Sequence, residues 1–335
     1  MPFLAFRDFL CAIARAFRLE YTRVALSSMS LTFFVCARSW RELFALPVLE
    51  AYAAVGLFVL GGLGLNSIID REIDARYESD KREVAAAVGH LGVRAMIGIV
   101  VGLTFAALAL AAHVAVQIES GAAWMMFVGA VVLGYGYSLP PLQLKLRGLL
   151  PHGASLAYST MFVPLAFSAY SYLGRLPTAM IPFILGFCLV QYSMELPNQV
   201  LDIVEDERAG MATPAVRLGI RPALAIAWGM LAFGMGTVVV GLAALLCARA
   251  TSAPSAPSWF VVVATAAATA IPVGLGCRPP LRGIAASLRF CRGREPRACL
   301  PGLPRLCDLP RWQASTSCGI AMGSAIYYLA TTHWW

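Results

Sequence analysis

Long apolar stretches recur along this sequence, and each is about as long as a helix must be to cross a lipid bilayer. Only 13% of the 335 residues are charged and 59% are apolar, which excludes an ordinary soluble globular protein. About nine such stretches can be drawn, at approximately residues 24–37, 46–69, 95–116, 121–138, 151–171, 177–198, 222–247, 257–276 and 314–332. The sequence therefore predicts an all-α, polytopic membrane protein, folded as a bundle of about nine transmembrane helices around a central cavity.

The two ends of the chain differ from this transmembrane core in composition. Residues 1–22 mix charged and apolar residues without the apolar core and cleavage site of a signal peptide, so we expect an amphipathic helix at the membrane interface. The transmembrane domain would then span residues 23–335. Within it, residues 278–312 are rich in Arg and Pro, which predicts a basic cytoplasmic loop before the last helix.

Basic residues fall mostly on one side of the expected membrane. With the N-terminus in the cytoplasm, all but four of the 26 Lys and Arg residues lie in cytoplasmic segments, as the positive-inside rule requires. The second and sixth spans then end in the cytoplasm, and we expect a multi-pass protein of a bacterial cytoplasmic membrane. The net charge of +8 favours contact with anionic membrane lipid and not with nucleic acid.

Two ladders of polar residues stand where the second and sixth spans end. Their members are spaced four apart, so the three side chains of each ladder project from one face of a helix. The first ladder consists of Asn66, Asp70 and Asp74, and the second consists of Asn198, Asp202 and Asp206. Two oxygen-rich faces in one apolar chain predict a shared site for a hard divalent cation.

Carboxylates this close to hydrocarbon are costly unless something neutralises them. Helix ends that were merely solvated would need no regular spacing of four, whereas Mg²⁺ bridges a few carboxylates to phosphate oxygens while it keeps several waters. We therefore expect Mg²⁺ as the cofactor, in a site that faces the cytoplasm.

A third motif follows the fourth span and runs from Tyr137 to Lys145, with the sequence Tyr-Ser-Leu-Pro-Pro-Leu-Gln-Leu-Lys. Together with the two ladders and the nine-span layout, this motif resembles the UbiA superfamily of intramembrane prenyltransferases. The resemblance covers about residues 18 to 275, with three motifs in the expected order, and it implies an all-α UbiA-like bundle.

The resemblance also implies a ligand set. In that family the two acidic motifs hold Mg²⁺ ions on the diphosphate of an isoprenoid donor. By position, the metal ligands here would be Asn66, Asp70, Asp74, Asn198, Asp202 and Asp206. The chain departs from the family pattern in several places. It lacks the Arg-Pro of the first span and has Arg18 and Arg23 nearby instead. Ser67 stands where the family usually has Asp, Glu83 where Pro is common, and Met211 and Ala212 where a basic pair often follows the glycine.

The chemistry that such a site supports is ionisation of an allylic diphosphate, which leaves a charged diphosphate and an allylic carbocation. Basic side chains would bind the diphosphate oxygens, and we assign this role to Arg71, Lys81, Arg82 and Lys145. Aromatic faces would line a dry chamber for the prenyl chain and its cation, and the candidates are Tyr135, Tyr137 and Tyr192, with Trp124. Tyrosines near helix ends are also common as simple interface anchors.

Glu195 precedes Asn198 by three residues, so it lies near the ladder face but about one turn deeper in the membrane. A carboxylate at that depth is a functional candidate, as a proton acceptor or as a ligand of the acceptor group; the alternative is a buried partner of an Arg or a backbone group. The residues expected to take part in catalysis are therefore Asp70, Asp74, Asp202, Asp206, Glu195 and Tyr137.

These features predict a Mg²⁺-dependent enzyme that ionises a polyprenyl diphosphate and transfers the prenyl group to an aromatic or other lipophilic acceptor. One alternative is a terpene cyclase of the same superfamily, in which a double bond of the donor attacks the cation. A more remote alternative is a non-catalytic transporter of anions or lipids, although transporters usually have internal repeats and sites at the midplane of the membrane.

Overall fold

The computed structural model describes residues 2–19, 21, 26, 29–30, 32, 36–37, 40–77, 80–252, 259–295 and 297–303. Every regular element among them is helical, which confirms the all-α prediction for these residues. The helices are α1 (Pro2–Ala16), α2 (Leu46–Asp74), α3 (Asp80–Leu91), α4 (Val93–Gln117), α5 (Gly121–Gly136), α6 (Leu149–Ala157), α7 (Val163–Leu173), α8 (Met180–Leu201), α9 (Ile203–Arg208), α10 (Pro214–Leu218), α11 (Ile220–Ser252) and α12 (Trp259–Phe290).

Among the described residues, four helices are long and apolar enough to cross a membrane, namely α2, α4, α8 and the Ile220–Leu245 part of α11. Each coincides with a predicted span, and the shorter apolar helix α5 coincides with another. Most of the predicted first span, 24–37, and all of the last, 314–332, lie outside the described residues. The count of nine therefore stays a prediction.

The predicted span at 151–171 is not one regular helix. It consists of α6, a π-helical segment at Tyr158–Phe162 and α7. A π-helical turn widens the helix and displaces its side chains from the regular register. Here it alters the wall that faces α8, beside the candidate site described below.

Helix α12 continues to Phe290, well into the stretch 278–312 that the sequence predicts as a loop. Cys277, Ile284, Ser287 and Cys291 are buried at the three- and four-residue spacing of one helical face. Burial of this face favours continuation of the helix past Pro279 and Pro280, which lie within it.

Helix α1 packs against α3 at the polar end of α2. Ala16 and Phe17 join a buried cluster with Val88 of α3, and the Phe17 ring lies so close to Gly64 of α2 that a Cβ there would be 2.6 Å from it. After α1, the chain turns at Arg18, whose φ of +44° lies in the left-handed region. This turn directs Arg18 toward the end of α2.

Helices α8 and α11 pack with their backbones in close contact at glycines. A Cβ at Gly186 of α8 would lie 2.5 Å from the Val238 backbone nitrogen, and one at Gly234 of α11 would lie 2.9 Å from the Gly186 carbonyl oxygen. A Cβ at Gly241 would clash with the backbone of Phe183. Small residues permit such close packing of membrane helices, and the contact fixes the helix that carries the second ladder.

Two hydrophobic cores form on either side of the bundle. One contains Phe58 of α2 with residues of α4, α5 and α7, and the other contains Phe187 of α8 with residues of α11 and α12. Helices α2 and α8, which carry the two ladders, thus pack in different cores, and a cavity lies between them.

Candidate active site

A cavity of about 240 Å³ lies between α2, α5, the π-helical segment and α8. Its lining includes five of the residues proposed from the sequence, namely Asn66, Asn198, Glu195, Tyr137 and Tyr192. The remaining carboxylates of both ladders, Asp70, Asp74, Asp202 and Asp206, are not among the residues that line it. They continue both ladders toward the ends of α2 and α8, beyond Asn66 and Asn198, and we call this part of the site the mouth of the cavity.

Each residue of the first ladder has a polar partner from another part of the chain. Ser138 donates a hydrogen bond of 2.7 Å to Oδ1 of Asn66. The Lys145 ammonium donates to the carboxylate of Asp70, and both side chains are buried. Arg18 donates to Oδ2 of Asp74 over 3.1 Å. The ladder is therefore neutralised by two cations that lie far from it in sequence.

The second ladder crosses a break between two helices. Helix α8 ends at Leu201 and α9 begins at Ile203, yet the Asp206 amide still donates to the Asp202 carbonyl over 2.8 Å, so the spacing of four is kept. Asp202 forms an ion pair of 2.8 Å with Lys81. Asp206 accepts hydrogen bonds from Tyr77 (2.6 Å) and Thr213 (3.0 Å).

Tyr77 and Lys81 join the two ladders across the mouth of the cavity. Tyr77 follows α2 directly, and its hydroxyl reaches Asp206, while the Lys81 ammonium lies 4.2 Å from the centre of the Tyr77 ring. Burial, the hydrogen bond to Asp206 and the negative charges of Asp206, Asp202 and Asp74 raise the pKa of Tyr77. Tyr77 and Lys81 follow the first ladder by a few residues and bind Asp206 and Asp202 of the second, so the ends of the two ladders lie close together.

Asp206 lies outside the membrane-spanning helices in a buried position. Burial raises the pKa of its carboxyl group above the ordinary value, and the hydrogen bond from Tyr77, the charge of Lys81 and the hydrogen bond from Thr213 oppose that rise. The charged form is thus disfavoured by its surroundings and is sustained by these three neighbours.

The loop that carries Lys145 is held by a buried histidine. His152 Nδ1 lies 3.2 Å from the Lys145 carbonyl oxygen, and His152 Nε2 lies 3.1 Å from Nε2 of Gln199 on α8. A neutral imidazole with its proton on Nδ1 satisfies both contacts. The sequence offers four scattered His residues without metal-ligand spacing, and only the folded chain shows that His152 braces this loop.

Two tyrosines that line the cavity pack against the same histidine. The His152 ring centroid lies 5.1 Å from that of Tyr137 and 5.6 Å from that of Tyr192. The Tyr192 hydroxyl donates to the Leu149 carbonyl over 3.1 Å, and its ring fills the space where a Cβ of Gly153 would stand. Tyr137 and Tyr192 are thus fixed in place along the cavity, as the aromatic lining expected from the sequence would be.

Other proposed residues lie away from the cavity. The Tyr135 ring stacks behind Phe58 with centroids 6.2 Å apart, and its hydroxyl contacts Thr104, so it supports a lining residue and does not line the cavity itself. Trp124 packs against the hydrophobic core that contains Phe58. Arg71 pairs with the adjacent Glu72 over 3.4 Å, and Arg82 is exposed. The diphosphate role given to Arg71 and Arg82 has no contact in this arrangement to support it.

Arg18 is a site residue that the sequence analysis did not select. It lines the cavity, it pairs with Asp74, and its buried Nε atom has no hydrogen-bond partner. The signal for it was weak, because one Arg at the end of an amphipathic helix is typical of a membrane surface. An orphaned guanidinium donor beside a cavity indicates space for an anionic group.

The ladder side chains offer only oxygen donors, which is the donor set that Mg²⁺ prefers. Among the described residues, no group of three or more His, Cys, Asp or Glu side chains already converges on one point. Mg²⁺ characteristically binds through one or two carboxylates together with substrate phosphates and waters. The donors therefore fit Mg²⁺ held jointly with a phosphorylated ligand.

Fold and site together define a polytopic α-helical membrane protein with two acidic ladders at the mouth of one intramembrane cavity. The profile of the UbiA prenyltransferase family matches residues 25–277, and the chain belongs to that family. The match includes both ladders and the Tyr137 to Lys145 motif. A comparison with curated proteins finds no match.

Solved structures show the same fold at low sequence identity. A UbiA homologue from Archaeoglobus fulgidus, bound to GPP and Mg²⁺, is 15% identical, with a TM-score of 0.56 over 91% of this chain and 99% of that chain. A structure described as digeranylgeranylglyceryl phosphate synthase is 13% identical, with a TM-score of 0.60 over 95% and 99%. The apo UbiA homologue from Aeropyrum pernix K1 is 15% identical, with a TM-score of 0.59 over 91% and 96%.

Proposed function

We propose that this protein is a Mg²⁺-dependent intramembrane prenyltransferase that ionises a polyprenyl diphosphate and passes the prenyl group to a lipophilic acceptor. The observation that supports the proposal is the arrangement at the mouth of the cavity. Tyr77, which follows the first ladder, donates to Asp206 of the second, and three carboxylates of the two ladders hold Arg18, Lys145 and Lys81. Solved relatives of the same fold bind GPP or DMAPP with Mg²⁺.

In this proposal, Arg18, Lys145 and Lys81 can pair either with the ladder carboxylates or with the diphosphate of the donor. Without a donor they neutralise Asp74, Asp70 and Asp202, which would otherwise be costly so near the membrane. If those carboxylates held Mg²⁺, the same cations would be available to the diphosphate oxygens as charge-assisted hydrogen-bond donors. Binding of metal and of diphosphate would therefore be mutually dependent.

Bound Mg²⁺ would stabilise the negative charge that develops on the diphosphate as the carbon–oxygen bond breaks. Lys145, Lys81 and Arg18 would hold the leaving group at the mouth. The prenyl chain would lie along Tyr137 and Tyr192, whose faces stabilise nearby positive charge, and apolar neighbours such as Val59 and Leu63 would exclude water.

Glu195 lines the cavity one helical turn deeper than Asn198, on the side of the acceptor in this scheme. We assign it the role of taking up the proton that a nucleophilic acceptor loses, or of orienting the acceptor group by a hydrogen bond.

The test is release of diphosphate by the purified protein in lipid nanodiscs with Mg²⁺ and geranyl, farnesyl or geranylgeranyl diphosphate. Release should depend on Mg²⁺ and should fall at least about a hundredfold in Asp70→Asn and Asp202→Asn, since each removes a metal ligand. Asp8→Asn, which changes an exposed carboxylate on α1, is the control and should leave release unaffected. Absence of release with every donor, while donor and Mg²⁺ still bind, would contradict an enzymatic role.

The same assay without an added acceptor separates transfer from cyclisation. Terpene hydrocarbons or alcohols formed from the donor alone would favour the cyclase alternative. A donor that is consumed only when a lipophilic acceptor is supplied favours transfer, which is the result that polar groups deep in the cavity lead us to expect.

A further inference from the structure

The polar face of α8 extends deeper into the membrane than the second ladder and Glu195. Gln191 lies one helical turn further in than Glu195, it lines the cavity, and only 8% of its surface is exposed. Its Nε2 atom is buried and has no hydrogen-bond partner within the protein. Neither the acidic ladders nor the diphosphate site uses this residue.

Three hydroxyl groups of residues that line the same cavity are already bonded to the main chain. The hydroxyls of Ser159 and Thr160 on the π-helical segment donate to the carbonyls of Ser155 and Leu156, each over 2.7 Å. The Tyr192 hydroxyl donates to the Leu149 carbonyl. These hydroxyl hydrogens are committed to the main chain, whereas the Gln191 amide still has hydrogens to offer.

A buried amide donor without a partner is unfavourable, and buried polar groups nearly always find one. The lining of the cavity includes apolar side chains such as those of Leu156, Ala157 and Met161, which offer an amide no acceptor. An oxygen on a bound molecule would complete its hydrogen bonding. A site built around such a donor discriminates against molecules that lack the matching oxygen, because the donor is then left unpaired.

We propose that Gln191 determines the choice of acceptor substrate by donating a hydrogen bond from Nε2 to a carbonyl-type oxygen of that substrate. This inference rests on the proposed function, since it assigns the deep part of the cavity to the acceptor. The oxygen lies inward of the group that faces Glu195, about one helical turn away. A hydrocarbon acceptor is disfavoured at this position.

The test compares two phenols of similar size, 4-hydroxyacetophenone, which has a carbonyl, and 4-isopropylphenol, which has none. Their dissociation constants are measured by calorimetry on the full-length protein in nanodiscs loaded with Mg²⁺ and farnesyl thiolodiphosphate, a donor analogue that does not ionise. The wild type should bind the carbonyl phenol about fivefold more tightly, as expected for one neutral hydrogen bond.

In Gln191→Met, which keeps the length of the side chain but removes the donor, the two phenols should bind equally. Gln117→Met, the same change at an exposed position on α4, should keep the wild-type preference. Gln191→Leu serves as a second variant if the first does not fold. The inference is overturned if the wild type binds both phenols alike, if it binds neither, or if the preference survives in Gln191→Met, as it would if a trapped water satisfied the amide.

The same experiment keeps this inference separate from the proposed function. If the wild type fails to bind farnesyl thiolodiphosphate with Mg²⁺, the proposed function fails, and the phenols can still be compared on the unloaded protein. If the analogue binds but the carbonyl preference is absent, only the role of Gln191 fails.

Discussion

Asp70 and Lys145 show how single residues of the site depend on one another. Their ion pair is buried, with 12% and 7% of the side chains exposed. Removing one partner of a buried pair leaves the other charge uncompensated, whereas removing both can be close to neutral. The pair therefore offers a test in which stability and function respond differently.

We predict that Lys145→Met destabilises the unloaded protein by about 3 kcal/mol, because Asp70 is left buried without its cation. The double variant Lys145→Met with Asp70→Asn should recover most of that stability but should not release diphosphate. Denaturant unfolding in mixed micelles and the diphosphate assay measure the two effects. Equal stability of the single variant and the wild type would show that Asp70 has another counter-charge.

Tyr77 gives a prediction about pH. Burial raises the pKa of Asp206, and the hydrogen bond from Tyr77 lowers it. Tyr77→Phe should therefore raise that pKa further, and since Mg²⁺ needs the ionised carboxylate, the acidic limb of the Mg²⁺-dependent activity should move to higher pH.

Thr213→Val removes the other hydroxyl that donates to Asp206, so it should move the acidic limb of the profile in the same direction. The measurement is the initial rate of diphosphate release between about pH 5 and 9 at saturating donor and Mg²⁺. Identical profiles for both variants and the wild type would rule out Asp206 as a group whose ionisation the reaction requires.

At the level of residues, the sequence could identify the ladders but not their partners. Asp70 and Asp202 stand out because their spacing of four is local and visible in one helix. Arg18 and Tyr77 are separated from the residues they bind by 56 and 129 positions in the chain, and nothing local marks them. Gln191 was missed because a single Gln in an apolar helix is unremarkable until its donor is seen to lack a partner.

Among the helices, the contact between α8 and α11 determines where the second ladder stands. Its close approach depends on glycine at three positions, because any Cβ would meet the backbone of the opposite helix. By contrast, a Cβ at Gly236, also on α11, would meet no other atom within 4 Å.

We predict that Gly241→Val separates α8 from α11 and lowers both thermal stability and diphosphate release. Gly236→Val, a few residues away on the same helix, makes the same change in helix propensity without the clash and should behave like the wild type. Thermal unfolding monitored by size-exclusion chromatography compares the two. If Gly241→Val were as stable as Gly236→Val, the close packing at this contact would be contradicted.

Helix boundaries could be predicted only in part. Apolar length placed α2, α4, α8 and α11 correctly, because crossing a bilayer constrains length and polarity at once. Composition and apolar length predict one regular helix over 151–171, but a π-helical segment interrupts it. They also predict a loop from residue 278, but α12 continues to Phe290. Both features arise from packing against other helices, which composition does not reveal.

In the molecule as a whole, the cavity lies between two hydrophobic cores, and α1 contributes to its mouth from outside the family match at 25–277. The sequence could predict the all-α bundle and its acidic ladders. It could not show that the N-terminal helix packs on α3 and delivers Arg18 to Asp74, since an amphipathic helix is equally suited to a lipid surface.

We predict that Arg18→Gln weakens binding of farnesyl thiolodiphosphate about tenfold, because the guanidinium supplies charge-assisted hydrogen bonds that a neutral amide replaces poorly. Arg15→Gln is the matched control, since Arg15 lies one turn earlier and forms only an exposed pair with Glu83. Equilibrium binding with Mg²⁺ present distinguishes them. Equal affinity in both variants would mean that the N-terminal segment is not part of the donor site.

The central claim is that the two ladders bind one metal-bridged diphosphate between them. The most direct measurement is an electron cryo-microscopy structure of the protein with Mg²⁺ and farnesyl thiolodiphosphate. We predict diphosphate and metal density between Asp70 and Asp202, with Lys81 and Lys145 turned from the carboxylates onto the diphosphate. Density bound to one ladder only, or both lysines still paired with their carboxylates beside a bound analogue, would contradict the account.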